Sequence, residues 1–347
     1  MIPEIHPRFK LNGRHLNHEG LMTVAYSYIK EGETWEKEIG DFLLSWLDDF
    51  ECLTVYTSGS TGAPKEIKLK KQYMINSAMN THDWFNLPKE CDALCCLPLS
   101  YIAGKMMLVR AIALGWQIDV IQPSSTPLKP LRKRYDFTAM TNQQVVNSLD
   151  DIHKTVKVII GGGPVASNLH VLLENKHTKA YHTYGMTETS THVAIRKIHP
   201  INEEYFETLN GITISLDDRG CLIIHAPELS DDDVVTNDFA EILDDHHFKI
   251  LGRVDRIINT GGVKVHPEKI EDHLSKLLPY RFFIASRKNE ELGQEVILVI
   301  EGEQTKEWDL SSLDKFEKPK KIFYVPEFIE THTGKIDRLR TLALLNS

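Results

Sequence analysis

The sequence predicts an α/β fold: a large N-terminal domain with mostly parallel sheets covered by helices, followed by a small α+β C-terminal domain. Three observations lead there. Short apolar runs alternate with helical stretches between residues 53 and 184, the pattern of strand–helix units in a parallel sheet. From Gly211 to His225 the pattern turns hairpin-like, with Asp217-Asp218-Arg219-Gly220 as the turn. The length, 347 residues, corresponds to about two domains at the usual size.

The elements follow in order. Trp35, Ile39, Phe42, Leu43, Trp46, Leu47 and Phe50 fall at helical spacing, so residues 34–50 are predicted to form an amphipathic helix with Thr34 as its N-cap. Only a short leader is expected before it. Strands are predicted at 53–57, 66–70, 93–97, 117–121, 137–140, 156–160 and 180–184, and helices at 71–85 and 105–114. A boundary is expected near Gly252 to Asp255, dividing the chain into residues 1–252 and 253–347. Beyond it, residues 267–278 read as a helix, and 282–286 and 296–301 as strands. In parallel sheets ligands sit beyond the C-terminal strand ends. The segments at 57–65, 161–164 and 184–189 each follow a predicted strand, so one site can gather all three.

Composition narrows the function. Hydrophobic residues make up 41% and charged residues 26%, as in an ordinary globular protein. The net charge of −9 argues against nucleic-acid or anionic-membrane partners, which need a basic excess. The start, Met1 to His6, has no basic stretch leading into an apolar run, and the apolar segment from Met106 to Trp116 is short and interrupted by Arg110. A cytoplasmic protein without membrane insertion is expected. The five cysteines (Cys52, Cys91, Cys95, Cys96, Cys221) read as reduced, largely buried thiols, and the scattered histidines show no zinc spacing.

The chemistry-bearing segment is Thr57-Ser58-Gly59-Ser60-Thr61-Gly62-Ala63-Pro64-Lys65. Two glycines allow tight turning and close approach of a ligand. Hydroxyls and backbone N–H groups can donate to phosphate oxygens, and Lys65 adds a positive charge. It is not a Walker A loop. By composition alone a Ser/Gly-rich surface turn is an equal reading.

The order of residues decides it. The segment resembles the phosphate loop of the superfamily of adenylate-forming enzymes, which includes acyl-CoA synthetases, peptide-synthetase adenylation domains and luciferases. Five more segments match in the superfamily's order. Tyr184-Gly185-Met186-Thr187-Glu188-Thr189 resembles its second signature, and Gly161-Gly162-Gly163-Pro164 its adenine-side glycines. Thr236-Asn237-Asp238 is similar to the segment ending in the ribose-binding Asp. Gly252-Arg253-Val254-Asp255 with Gly261-Gly262 resembles the hinge and following glycine loop, and Thr333-Gly334-Lys335-Ile336-Asp337-Arg338 the catalytic-lysine motif.

The resemblance implies two half-reactions. A carboxylate joins the ATP α-phosphorus and expels pyrophosphate; a thiol, of coenzyme A, then displaces AMP. Positioning and charge stabilisation should dominate. On this reading Thr57, Ser58, Gly59, Ser60, Thr61, Gly62 and Lys65 cradle phosphates, and Gly161, Gly162, Gly163, Tyr184, Gly185 and Met186 line the nucleotide. Thr187 donates to the α-phosphate. Glu188, a hard oxygen ligand, holds Mg²⁺; its bland alternative is a solvated loop carboxylate. Asp238 accepts from the ribose hydroxyls with Arg253 in support, although Asp238 lies in an acidic region and a solvated face competes. Lys335 bridges the substrate carboxylate and the α-phosphate; the alternative is one more lysine of a basic tail. Asp255 is the hinge about which a mobile C-terminal domain rotates, bringing in Lys335 for one step and Gly261-Gly262, the coenzyme A side, for the other.

Within the superfamily, Leu97-Pro98-Leu99-Ser100-Tyr101-Ile102-Ala103-Gly104 and Thr189-Ser190-Thr191-His192 look most like the o-succinylbenzoate–CoA ligases of menaquinone biosynthesis. Tyr101 stands where many members have His. A substrate with two carboxylates calls for cations beside apolar walls, and Tyr101, Lys105, His192, Arg110 and Arg196 are the candidates; helix-surface or salt-bridged roles compete for each. Only 56 residues precede the loop, far fewer than in typical members. The pocket wall is then abbreviated, or completed by another subunit of a homo-oligomer. Two other readings stay open: loading of an aryl acid onto a carrier protein, and a non-catalytic nucleotide-binding protein on the same fold.

Overall fold

Burial sorts the chain into one large sheet system and a smaller one. The computed structural model describes residues 3–57, 65–166, 168–303, 308–330 and 336–346. Among them, thirteen strands form one sheet. Its order from one edge is Thr213–Leu216, Cys221–His225, Val234–Asp244, His247–Arg253, Phe206–Thr208, His192–His199, Lys179–Gly185, Thr155–Gly161, Tyr135–Thr141, Asp92–Cys95, Gln117–Val120, Lys10–Leu11 and Arg14–His15.

The six strands from Lys179–Gly185 to Lys10–Leu11 pair in parallel. They are apolar runs covered by helices, as parallel strands must be; Phe137, Val158 and Ile160 are fully buried. The remaining pairings are antiparallel. The mixed α/β architecture is therefore as expected, with the parallel part forming one half of the sheet. The turn at 217–220 joins two paired strands, as its sequence predicts.

The strand 52–57 does not join the parallel sheet. Cys52–Thr57 pairs antiparallel with Lys65–Lys70 in a sheet of their own, Thr57 opposite Lys65. A parallel partner needs a crossover of a dozen or more residues, and the spacing between these strands is too short for one.

Two helices shape the N-terminal part, where the sequence predicts one. His18–Glu31 is capped by Asn17, whose side chain accepts from the Gly20 N–H. Its buried face carries only Leu21 and Ala25, too thin a stripe to stand out from the sequence. It packs on Thr34–Leu47 at Gly40, where a Cβ would lie 2.7 Å from the Ala25 carbonyl oxygen. The second helix differs from expectation at both ends. Glu33, not Thr34, is its N-cap, in a reciprocal box with Glu36, and the helix stops at Leu47, leaving Phe50 exposed.

The expected helices at 71–85 and 105–114 are Lys71–Phe85 and Ile102–Leu114. The expected helix at 267–278 ends at Leu274. Ile258–Thr260, Val263–Val265, Phe282–Asn289, Gly293–Glu301 and Lys321–Val325 build a separate five-stranded sheet with apolar clusters of its own. Cys91, Cys95, Cys96 and Cys221 are buried free thiols. No helix of the described residues is long and apolar enough to cross a membrane.

Candidate active site

Two glycine-bearing turns sit side by side where adjacent parallel strands end. Thr155–Gly161 runs into Gly162 at φ +87°, a left-handed conformation suited to glycine. Its neighbour Lys179–Gly185 runs into a short 3₁₀ turn at Thr187–Thr189. Gly185 is required there, because a Cβ would stand 2.2 Å from the Thr191 carbonyl oxygen and 2.4 Å from His192 Cα. Thr189 is buried and ties the turn, accepting from the Met186 N–H at 3.3 Å and lying 2.8 Å from the Thr191 carbonyl oxygen. This leaves Thr187 and Glu188 half-buried on the outside of the turn. The strand Lys65–Lys70 lies against the same turn. No ion pair or hydrogen bond engages the Glu188 carboxylate among the described residues, so its oxygens are available to a hard cation.

Four of the residues singled out in the sequence form one network. Asp238 and Arg253 are opposite each other on paired strands. Arg253 Nη1 donates to Asp238 Oδ1 at 3.1 Å, and its Nε and Nη2 donate to the two oxygens of Asp255 at 3.0 and 2.9 Å. Tyr184 Oη donates to Asp238 Oδ2 at 2.7 Å. Asp238 is buried, and its backbone N–H donates to Thr236 Oγ1 at 3.0 Å. The hydrogen bond from Arg253 holds Asp255 below the usual carboxylate range. Burial, reinforced by Asp238, pushes the Tyr184 phenol up, so it is a permanent donor. The ring of Tyr184 packs edge-on against Phe248 at 5.3 Å.

Gly163, one of the glycines expected on the adenine side, has a partner that the sequence does not announce. His182 Nε2 lies 3.1 Å from the Gly163 carbonyl oxygen, and Arg196 Nη2 lies 3.4 Å from His182 Nδ1. Arg196 also stacks over Phe206 at 5.4 Å. Burial and then Arg196 push the imidazole of His182 well below its usual value. Arg196, a candidate for the acid pocket, is thus placed behind Gly163.

The other acid-pocket candidates divide into two places. Lys105 turns its ammonium to the Leu99 carbonyl and lies 5.9 Å from the Phe42 ring. Tyr101 stands at the start of the same helix, and burial followed by Glu38 raises its phenol. The Ser100 N–H donates to Glu38, which ties this segment to helix Thr34–Leu47. Arg110 and His192 meet elsewhere, in the interior, through Thr81. Arg110 Nε donates to Thr81 Oγ1 at 3.3 Å, and His192 Nε2 lies 3.3 Å from the same oxygen. Arg110 is 1% exposed. Its Nη1 reaches only Met107 Sδ at 3.8 Å, and its Nη2 is buried without a partner among the described residues. Burial lowers its pKa to about 9. Thr81 escapes a motif search, but hydroxyls at Ser77 and Thr81 on the otherwise apolar face of Met74, Ala78 and Phe85 are the trace it leaves in the sequence.

Gly261 and Gly262 have φ of +57° and +82°, in the turn between Ile258–Thr260 and Val263–Val265. Residues 58–64 of the expected phosphate loop and the expected catalytic Lys335 lie outside the described residues.

The model of the AMP-binding enzyme family matches residues 41–220, more than half of the chain. The chain belongs to this family. One AMP-binding relative is the 2-succinylbenzoate–CoA ligase of Enterococcus faecalis, 22% identical over 333 residues, covering 82% of this chain and 68% of the relative. A solved structure of an AMP-forming acyl-CoA synthetase/AMP-acid ligase II-like protein from Dyadobacter fermentans is 32% identical. It covers 93% of this chain and 98% of that one, with a TM-score of 0.62. The o-succinylbenzoate coenzyme A synthetase of Bacillus subtilis, solved with ATP and magnesium, has the same fold. Its TM-score is 0.73 at 17% identity, with 94% of this chain and 82% of that one covered.

Proposed function

We propose that the chain is an AMP-forming acid–CoA ligase whose acid is o-succinylbenzoate. The observation that carries the substrate class is Arg110. An isolated buried guanidinium is costly, because no carboxylate offsets its lost hydration. Arg110 has a hydroxyl and a thioether for partners and one N–H group with none. A dicarboxylic acid supplies the missing anion: one carboxylate is activated, the other pairs with Arg110. The names of several relatives, 21–26% identical, support the same acid.

The geometry suits the two half-reactions. In the first, a carboxylate oxygen bonds to the ATP α-phosphorus and pyrophosphate leaves. Asp238 accepts from the ribose hydroxyls, with Tyr184 and Arg253 fixing its orientation. Thr187 donates to the α-phosphate. Lys335 bridges the α-phosphate and the acid. Glu188 is the residue that would hold a magnesium ion, which neutralises phosphate charge. In the second, the thiol of coenzyme A bonds to the acyl carbon and AMP leaves; Gly261 and Gly262 face that acceptor. Residues 1–252 and 253–347 act as two units about Asp255.

The test is a coupled assay with ATP, Mg²⁺ and coenzyme A, comparing o-succinylbenzoate with benzoate and a medium-chain fatty acid. A kcat/KM at least about 100-fold higher for o-succinylbenzoate is expected. Equal activity on all three rejects the substrate. Adenylation without release of a coenzyme A thioester points to a carrier protein as acceptor, and no pyrophosphate exchange with any acid rejects the ligase. Arg110→Met should lower kcat/KM for o-succinylbenzoate by about 2–5 kcal/mol, roughly 30- to 5,000-fold. It should also melt no lower than the parent, since an apolar group replaces an unpaired buried charge.

A further inference from the structure

Thr81 sits at the junction of the two interior candidates, and its hydrogen-bond bookkeeping is unambiguous. A threonine hydroxyl has one hydrogen and two lone pairs. Thr81 Oγ1 is 2.9 Å from the Ser77 carbonyl oxygen, which can only accept. Arg110 Nε, at 3.3 Å, can only donate. The hydroxyl hydrogen therefore goes to Ser77, and a lone pair takes the Arg110 N–H. His192 Nε2, at 3.3 Å, faces the remaining lone pair and must carry a hydrogen to bond with it. His192 Nδ1 is then bare, and accepts from Thr191 Oγ1 at 3.5 Å.

We infer that Thr81 is a positioning residue for acid selection: its hydroxyl locks His192 as the neutral Nε2–H tautomer and holds Arg110 by Nε, so that Nη2 is left for the substrate's second carboxylate. The hydroxyl does the work a buried carboxylate would do in orienting the guanidinium, but brings no negative charge. A carboxylate in its place would neutralise Arg110 and compete with the substrate. The neutral tautomer of His192 has the same merit, since it adds no second cation beside Arg110. Thr81, Arg110 and His192 are all buried, so solvent does not scramble the arrangement. The inference rests on the dicarboxylate reading for its kinetic consequence, not for its tautomer.

Two measurements on the full chain test it. Long-range ¹⁵N–¹H NMR of histidine-labelled protein without substrate should show His192 as the Nε2–H tautomer in the parent and in Thr81→Ser, and mixed tautomers in Thr81→Val. An Nδ1–H parent overturns the inference whatever the acid. In steady-state adenylation, Thr81→Val should raise KM for o-succinylbenzoate about 10- to 100-fold, the worth of one hydrogen bond to a charged group. KM for ATP should not move, and Thr81→Ser should stay within about threefold of the parent. The methyl ester of the ring carboxylate, which keeps the succinyl carboxylate for activation and offers Arg110 no anion, should show the same KM in all three proteins. Parallel losses for ATP, acid and ester would mean a merely structural threonine and sink the idea. If Thr81→Val does not fold, Thr81→Ala removes the hydroxyl without adding bulk and gives the same readouts. A parent inert toward every acid would reject the substrate reading while leaving the tautomer result to stand or fall alone.

Discussion

His192 illustrates how a side chain can be recognised in sequence while its role is not. Its position beside the second signature marks it, but only the structure buries it against Arg110 and Thr81. Burial, then Arg110, push its imidazole well below the usual value. The folded protein therefore binds fewer protons here than the unfolded chain does below the ordinary histidine pKa, about 6.5. The contribution of a neutral His192 is present above about pH 6.5 and is lost as pH falls. Stability should drop by up to about 1.4 kcal/mol per pH unit below that point from this residue alone. Urea denaturation between pH 7 and 5 should show a shallower slope for His192→Gln, which keeps a donor but does not titrate; an unchanged slope would contradict the assignment. Tyr184, Asp238, Arg253 and Asp255 were legible as separate motif letters. Their bonding into one network was not, because it depends on the pairing of strands Val234–Asp244 and His247–Arg253. His182 was silent because a histidine two residues before the signature has no distinguishing pattern.

At the scale of elements, most of the parallel half could be read from the sequence, since apolar runs separated by helical stretches leave a strong periodic signal. The antiparallel half was less legible. Val234–Asp244 alternates buried and exposed residues while carrying Thr, Asn, Asp and Glu, and so looks like an acidic loop. The turn after Lys179–Gly185 shows how narrowly a site-bearing element can be specified. With Cβ overlap against two backbone atoms, Gly185→Ala cannot be relieved by a side-chain rotation. Chemical denaturation should show a loss of roughly 3 kcal/mol or more, the upper range for a single substitution. Adenylation should fail with it, because Thr187 and Glu188 are carried on the displaced turn. Near-parental stability would mean the turn has room to move.

For the whole molecule, the separate sheet after Ile258 and the Arg253–Asp255 pair bear on the proposed rotation. Arg253 grips Asp238 and Asp255 at once, so the proposed ribose contact and the proposed hinge share one guanidinium. Hinges concentrate φ/ψ change in few residues. Asp255→Pro fixes φ and also removes the carboxylate, and is expected to support one half-reaction while abolishing overall turnover. Lys335→Ala should lose pyrophosphate release by roughly 10²–10³ while still forming thioester from preformed adenylate. Stopped assays of each half-reaction separate these outcomes, and equal loss of both halves in either variant rejects the assigned role.

The large sheet also ends in an unusual way on its parallel side. Its outermost strand is only Arg14–His15, both residues exposed. An open strand edge is a template for a neighbouring chain and so a route to aggregation. Here the template is two residues long and carries the guanidinium of Arg14. Too few backbone groups are on offer to hold another strand in register, and a second copy would meet like charge at the contact. Among the described residues, the stub therefore closes this side of a wide sheet with little template for a further strand.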